Sequence, residues 1–458
     1  MSRSWSLIAL SAPLVASIAA AQAPARELTP PRRTVEVALT AAPARLSLQA
    51  GTTTDLYAYN GTVPGPVLEF REGDHVVVHF RNDLPVTTTV HWHGLHLPFA
   101  ADGSPFHLVA PGETYDYEFD IPPGTAGTYW YHPHPNHETG RQVAHGLYGA
   151  IVVRAPDDPL AGMPEQVLVL SDNRLHPDGS LDLPDPHTHA ALVDRENGRE
   201  GPLILVNGRE APELTIRSGE VQRWRILNAS AGRMYRLSIP GHPLVWVGTD
   251  GGLFERPVEV NDITVAPSER VEVLVRGTDA PGSRLVVFDL PYDRYIPQTR
   301  PRLWNCPRKM FTVRYSEDAP SGGSPPPIPQ TLRRVEPLDP AQATATRVVT
   351  LSQGLINGKQ MDMARVDVEA ELGATEIWQV ENIVGMDHPF HLHGFRFQVL
   401  DRNGVPEPFP AWRDVINVPR HETVRFIVRY DDFPGKWMFH CHILDHEDHG
   451  MMGILQVN

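Results

Sequence analysis

Apolar and polar residues alternate along this chain in short runs, as in His75-Val76-Val77-Val78-His79-Phe80. A period of two puts one set of side chains on each face of an extended strand. Stretches with the 3.6-residue period of a helix are scarce. The runs are broken by turn formers, since the chain holds 45 Pro and 36 Gly. Many short strands separated by turns predict an all-β protein of sandwich type.

The strand pattern repeats. Tyr59-Asn60-Gly61 is followed by Leu68-Glu69-Phe70-Arg71-Glu72-Gly73-Asp74 and closes near Asn82. Val206-Asn207-Gly208 leads in the same way to Leu214-Thr215-Ile216-Arg217-Ser218-Gly219-Glu220 and Asn228. Ile356-Asn357-Gly358 leads to Val366-Asp367-Val368-Glu369, Gly373 and Asn382. The Asn-Gly marks stand 147 and 150 residues apart (207 − 60 and 357 − 207). Each reads as a tight turn between strands. Three similar sandwiches of ordinary domain size are expected, over 34–154, 164–315 and 346–458. The segment 316–345, with Ser321-Gly322-Gly323-Ser324-Pro325-Pro326-Pro327, reads as a linker between the last two.

Residues 1–23 have one charge (Arg3), an apolar run from Leu7 to Ala21 and small residues at the end. They read as a secretory signal peptide, which places the mature protein in the periplasm or outside the cell. That run is too short and too rich in Ala and Ser for a membrane span, and no other segment could cross a bilayer. The formal net charge of −15 and the lack of a basic stripe argue against nucleic acid as a partner. No pattern marks an oligomer, so a monomer is expected.

Histidine changes the picture. The chain has 22 His, for which chance gives roughly one His-X-His, yet five occur. They are His91/His93, His132/His134, His187/His189, His391/His393 and His440/His442. On a strand, residues two apart share a face, so each pair can present two imidazoles together. His187 and His189 lie in a Pro/Asp-rich loop and are set aside. The other four pairs supply eight imidazoles, too many for one metal ion and the right number for a three-metal cluster. Between His440 and His442 stands Cys441, which must face the other way. With nearby His and a Met further on, Cys441 completes the soft donor set of a blue copper centre. The first and third repeats hold all these residues, so the cluster can form only if those two repeats meet. The middle repeat, whose His242 is single, is then a spacer. The only other cysteine, Cys306, is left without a disulfide partner.

The four pairs, in this order, resemble the copper motifs of the multicopper oxidases, specifically the bacterial three-domain laccase-like group, over essentially the whole mature chain. The resemblance implies three consecutive cupredoxin-like Greek-key β-sandwich domains. It implies four coppers per chain, one type 1, one type 2 and two type 3. His388, Cys441 and His446 match the type 1 ligands, with Met451 as weak axial ligand and Met452 as the alternative. His91 and His391 match type 2; His93, His132, His134, His393, His440 and His442 match type 3. No ligand position is substituted. Two carboxylates, Asp102 and Glu447, match proton-relay positions; each could otherwise be an ordinary surface acid.

The resemblance also implies a mechanism. A small reducing substrate meets the exposed edge of His446, and electrons pass through Cys441 to the cluster, where dioxygen becomes water. The first reading of the donor is a phenol or aromatic amine, as in a laccase. The alternative is a cuprous oxidase for copper tolerance, with Met361, Asp362, Met363 and Met386 as candidate Cu(I) contacts, since thioethers suit Cu(I). Those methionines could equally fill gaps in a core. A non-catalytic binding protein on the same fold is the remote alternative. A copper nitrite reductase is disfavoured, lacking eight paired His and a third domain. His107, His137 and His145 fall outside the motifs and are assigned to the surroundings of the cluster or to the surface.

Overall fold

Each repeat begins with the same pairing. Its opening strand runs parallel to the strand that ends in the marker asparagine: Thr34–Leu46 beside His75–Asn82, Glu165–Asn173 beside Val221–Asn228, and Ala345–Ser352 beside Thr375–Asn382. The computed structural model describes residues 33–185, 187–294, 306–318 and 327–458. The expected signal peptide and most of the Ser321–Pro327 run fall outside them.

Two sets of asparagines explain the repeat. Asn60, Asn207 and Asn357 sit in the Asn-Gly turns with φ of 49°, 51° and 51°. This left-handed conformation is one that Asn tolerates and most residues avoid. In each turn the Asn Oδ1 accepts, at 2.8 Å, the N–H of the opening strand, from Thr40, Val169 and Thr350. The second set, Asn82, Asn228 and Asn382, is buried. Each Nδ2 donates to two carbonyls: Val86 and Val109, Arg233 and Val265, Met386 and Val418. Each ties a strand end to the loop after it and to a neighbouring segment.

The sheets are layered in pairs over apolar cores. In the first repeat the order Thr54–Tyr59, Thr34–Leu46, His75–Asn82, Thr114–Asp120 is matched by Leu68–Arg71, Gly149–Arg154, Gly127–His132, His91–His93. The core between them takes Val76, Val78 and Phe80 from one sheet and Trp92, Tyr129 and Ile151 from the other. The second repeat packs a seven-stranded sheet on a five-stranded one, and the third a six-stranded sheet on a five-stranded one. Their cores centre on Trp224 and on Trp378 with Phe426. No helix among the described residues is long and apolar enough to cross a membrane.

Helices among the described residues are few and short. Helix α1 (Thr139–Ala144) follows the second His pair, α2 (His189–Asn197) rises from the middle repeat, and α3 (Leu444–Asp448) follows Cys441. The α3 residue Asp448 accepts the backbone N–H groups of Thr139 and Gly140 on α1, at 2.8 and 2.9 Å. Helix α2 is capped by the Thr188 hydroxyl, which accepts the Ala191 N–H, and ends at Gly198 with φ 72°. The loop carrying α2 leaves the sheet at Asn173 and returns at Leu203, and these two residues are cross-strand partners.

Candidate metal centres

Strand register brings the His pairs together. His391 lies opposite His440 and Phe390 opposite Cys441, while His91 lies opposite His132. Rings from the first and third repeats then stack across their junction: His91 on His393 with centroids 4.0 Å apart, and His93 on His391 at 3.8 Å. All eight paired histidines are buried. Their donor atoms gather within 4.8 Å of one another in three sets, the first two sharing His93: His91, His93 and His391; His93, His132 and His442; His134, His393 and His440. His440 and His442 reach the same cluster, their rings 5.3 Å apart. Cys441, between them, joins His388 and His446 in a separate group on the other side.

The hydrogen bonds fix which ring nitrogens are bare. A carbonyl can only accept, so a ring nitrogen bonded to one carries the proton and leaves its partner with a lone pair. His91 Nδ1 donates to Asp102 O and His391 Nδ1 to Asp414 O, both at 2.7 Å. Their Nε2 atoms are buried without a partner. His440 Nδ1 donates to Cys441 O at 3.1 Å, and His393 Nδ1 to the Asp102 carboxylate at 3.0 Å. This leaves His393 Nε2 and His440 Nε2 facing each other at 3.0 Å. Two bare lone pairs at that distance repel unless a cation lies between them. His93 is turned the other way: its Nε2 donates to Asp414 at 3.0 Å and its Nδ1 faces His132. Such a set of oriented imidazoles, each with one N–H held by a hydrogen bond and one bare nitrogen, is a metal-ready arrangement.

The smaller group has a different chemistry. Cys441 Sγ lies 3.6 Å from His446 Nδ1, and the Ile443 N–H points at the sulfur from 3.4 Å. His446 Nε2 donates to Glu196 O of α2 at 3.3 Å, which leaves Nδ1 bare toward the thiol. Burial pushes the Cys441 thiol well above its ordinary range, so without a metal it stays protonated. A thiol and two imidazoles in an apolar pocket, with Met451 buried alongside, form the donor set that suits copper.

Carboxylates bracket the cluster. Asp102 holds His91 through its carbonyl and His393 through Oδ2. Gly103 makes this fit possible, because a Cβ there would lie 1.7 Å from Val90 O. On another side Asp414 joins His93 and His391 to the fully buried Arg270, whose Nη1 and Nη2 donate to it at 2.7 and 2.5 Å. Ser268 Oγ lies 2.9 Å from His93 Nε2. Glu447 reaches His134 Nδ1 at 3.5 Å and His440 Nδ1 at 3.2 Å. Burial and the neighbouring Asp448 hold its carboxyl well above the usual range.

Burial has the opposite effect on the imidazoles. It lowers His93, His132, His134, His391, His393 and His442 well below 6.5, and brings His440 and His446 to about 3. An unfolded chain binds these protons near 6.5, while the folded metal-free chain does not. Between those values the unfolded state holds more protons, so stability falls as pH drops. Copper-free protein is therefore expected to lose stability steeply below about pH 6.5, by about tenfold in the unfolding constant per pH unit for each such imidazole. Denaturant titrations across that range check this, and a flat profile would contradict the burial of these rings as neutral groups.

Similarity to known proteins agrees with this geometry. Family models described as multicopper oxidase match residues 40–158, 175–317 and 328–458. The chain belongs to the multicopper oxidase family. A structure of a multicopper oxidase from Campylobacter jejuni, described as a metallo-oxidase, superimposes with a TM-score of 0.84 at 33% identity, over 94% of this chain and 93% of that one. A laccase-like multi-copper oxidase from a lignin-degrading Ochrobactrum gives 0.83 at 29%, over 94% and 100%. The cell division protein FtsP of Xenorhabdus nematophila is 30% identical over 91% of this chain and 88% of its own length. The three sandwiches of this multicopper oxidase are the cupredoxin-like domains expected from the motifs.

The structure corrects two parts of the sequence reading. The edge of His446 is not open to a substrate: the residue is 3% exposed and its Nε2–H is taken up by α2. The middle repeat is more than a spacer, since it supplies that cover as well as Ser268 and Arg270. No local motif announces Asp414, Arg270, Ser268 or Glu196, because each reaches the site through long-range packing. Arg294, also from the middle repeat, is buried, and its charge helps lower His388 and His446. Among the candidate Cu(I) contacts, Met386 is buried in the third core, and the Met361 N–H donates to Gly450 O near the His446 loop. Asp362 is exposed and Met363 half-buried.

Proposed function

We propose that this protein is a copper oxidase whose donor is Cu(I), rather than a laccase. His388, Cys441 and His446 would hold a type 1 copper, with Met451 as a further, weaker ligand. Met451 packs in the same buried cluster as Cys441, whereas Met452 lies opposite His440 in the adjoining strand pair. His91 and His391 would hold a type 2 copper, and His93, His132, His134, His393, His440 and His442 a type 3 pair. When bound, these four coppers supply one-electron acceptance from the donor and four-electron reduction of dioxygen to water. The chain's own part is to orient and to move protons. Asp102 and Asp414 fix the ring tautomers, and the Glu447 carboxyl stands beside His134 and His440, where it would relay protons.

The observation that carries the donor assignment is the cover over His446. A phenol must bring its ring against the imidazole edge, and Glu196 O of α2 already occupies the Nε2–H there. A cation needs only ligands nearby, and it can be held at the surface of the cover. The test is oxygen uptake by copper-loaded protein with Cu(I) or with 2,6-dimethoxyphenol. Cu(I) is expected to give the higher kcat/KM by at least about tenfold, or about 1.4 kcal/mol in transition-state stabilisation. The reverse order would restore the laccase reading. No oxygen uptake with either donor would leave a non-catalytic binding protein. In the same assay Glu447→Gln is expected to slow uptake by about 10²–10⁴ with copper content unchanged.

A further inference from the structure

Four of the twelve histidines outside the copper motifs line one cavity. It has a volume of about 460 Å³, lies between α1, α2 and α3, and is lined by His137, His187, His189 and His449. All four are exposed. His137 Nδ1 donates to Asp448 O at 2.6 Å, and His449 Nδ1 donates to Asp445 O at 2.7 Å. Since a carbonyl only accepts, both rings keep their proton on Nδ1 and present a bare Nε2. The two carbonyls are three residues apart on α3, and so hang both rings from one side of that helix. His187 and His189 stand at the start of α2. Among the described residues, neither side chain enters a hydrogen bond or an ion pair.

The charge of the cavity narrows the ligand. Its wall has the carboxylates of Glu138, Asp194, Asp445 and Asp448 against the guanidiniums of Arg141, Arg195 and Arg199. Asp194 is tied to Arg174, Asp445 accepts the Arg199 N–H, and Asp448 is tied to α1. Few anionic oxygens remain to hold a hard divalent ion. Neutral imidazole nitrogens suit a soft monovalent one. The position suits a donor, because α3 carries both the cavity rim and His446, and α2 carries the carbonyl that His446 touches.

We propose that this cavity is the docking site for substrate Cu(I), held by Nε2 of His137 and His449, with His187 and His189 as entry ligands. This rests on the cuprous reading above and moves the substrate site away from Met361, Asp362, Met363 and Met386. Each ion arrives as Cu(I) and leaves as Cu(II), having lost one electron. Four such losses balance one dioxygen, which takes up four electrons and four protons to give two waters.

The test uses Ag(I), which matches Cu(I) in charge and ligand preference and gives up no electron. Copper-loaded protein is expected to bind a single Ag(I) per chain, and Ag(I) to compete with Cu(I) oxidation while leaving dimethoxyphenol oxidation alone. In a His137→Ala, His449→Ala variant, Ag(I) affinity is expected to fall, and KM for Cu(I) to rise, by at least about tenfold. The blue absorbance and phenol turnover should not change, and His187→Ala, His189→Ala should give a smaller shift in the same direction. Unchanged Ag(I) affinity in the first variant, loss of affinity only in Met386→Ala, or a site that takes Zn(II) and rejects Ag(I) would each overturn the proposal. Because binding is read without turnover, Ag(I) held at these histidines in a protein that oxidises no Cu(I) would keep the site and sink the oxidase reading.

Discussion

A Cys441→Ser protein is expected to fold, to hold three coppers in place of four, and to be colourless and inactive. The reason is the division of labour on one short strand. Cys441 faces His388 and His446 on one side, while His440 and His442 face the eight-histidine cluster on the other. Removing the sulfur removes the soft anionic ligand that gives a blue copper site its colour and holds its ion, yet leaves every cluster imidazole in place. Serine is close in size to cysteine, so the buried pocket should tolerate it with little loss of stability. Copper content, the visible spectrum and oxygen uptake, measured on one preparation, decide the matter. A C441S protein that stays blue and turns over would end the copper assignment for this strand.

The second large effect is expected at Asp414, which no sequence motif marks. Its carboxylate is buried between Arg270 and His93, and its carbonyl holds His391. Taking away Asp414 leaves the buried Arg270 guanidinium with only Asp250, 3.7 Å from its Nη1, as a carboxylate partner. Asp414→Ala is therefore expected to cost about 3–5 kcal/mol in unfolding free energy. It should also lower copper content, because His93 loses the acceptor that keeps its proton on Nε2 and its Nδ1 bare. Denaturant unfolding and copper analysis give the two readouts. A loss below about 1 kcal/mol with full copper content would show that the Arg270 contact is not holding the junction together.

The parts of the site that could be read from the chain are those written in local pairs. A His-X-His on a strand presents both rings on one face, and a Cys between two His must face away, so spacing alone shows paired, strand-borne ligands, while the grouping of Cys441 with His388 and His446 comes from the family resemblance. The repeat was legible because each sandwich uses Asn in two jobs that few other residues perform: a left-handed turn at Asn60, Asn207 and Asn357, and a doubly donating buried amide at Asn82, Asn228 and Asn382. The rest lies in contacts between repeats. Asp414 and His93 are 321 residues apart, and Ser268 and His93 are 175 apart. Spacing carries no trace of such pairs. Helix α2 sits in a Pro/Asp-rich loop with no strong helical period, so spacing does not reveal the cover it places over His446, whose open edge is implied by the family resemblance alone.

That loop has a consequence for how such enzymes diverge. Residues 174–202 leave and re-enter the sheet at the paired positions Asn173 and Leu203. Closing a longer or shorter loop between two points already held together changes stability only slightly. The segment that covers His446 can thus be lengthened or shortened without touching Cys441 or the eight clustered histidines. Two oxidases with identical metal centres can in this way part company over what they oxidise through one insertion, and an engineer seeking a new donor would begin with this loop and leave the histidines of the metal centres alone.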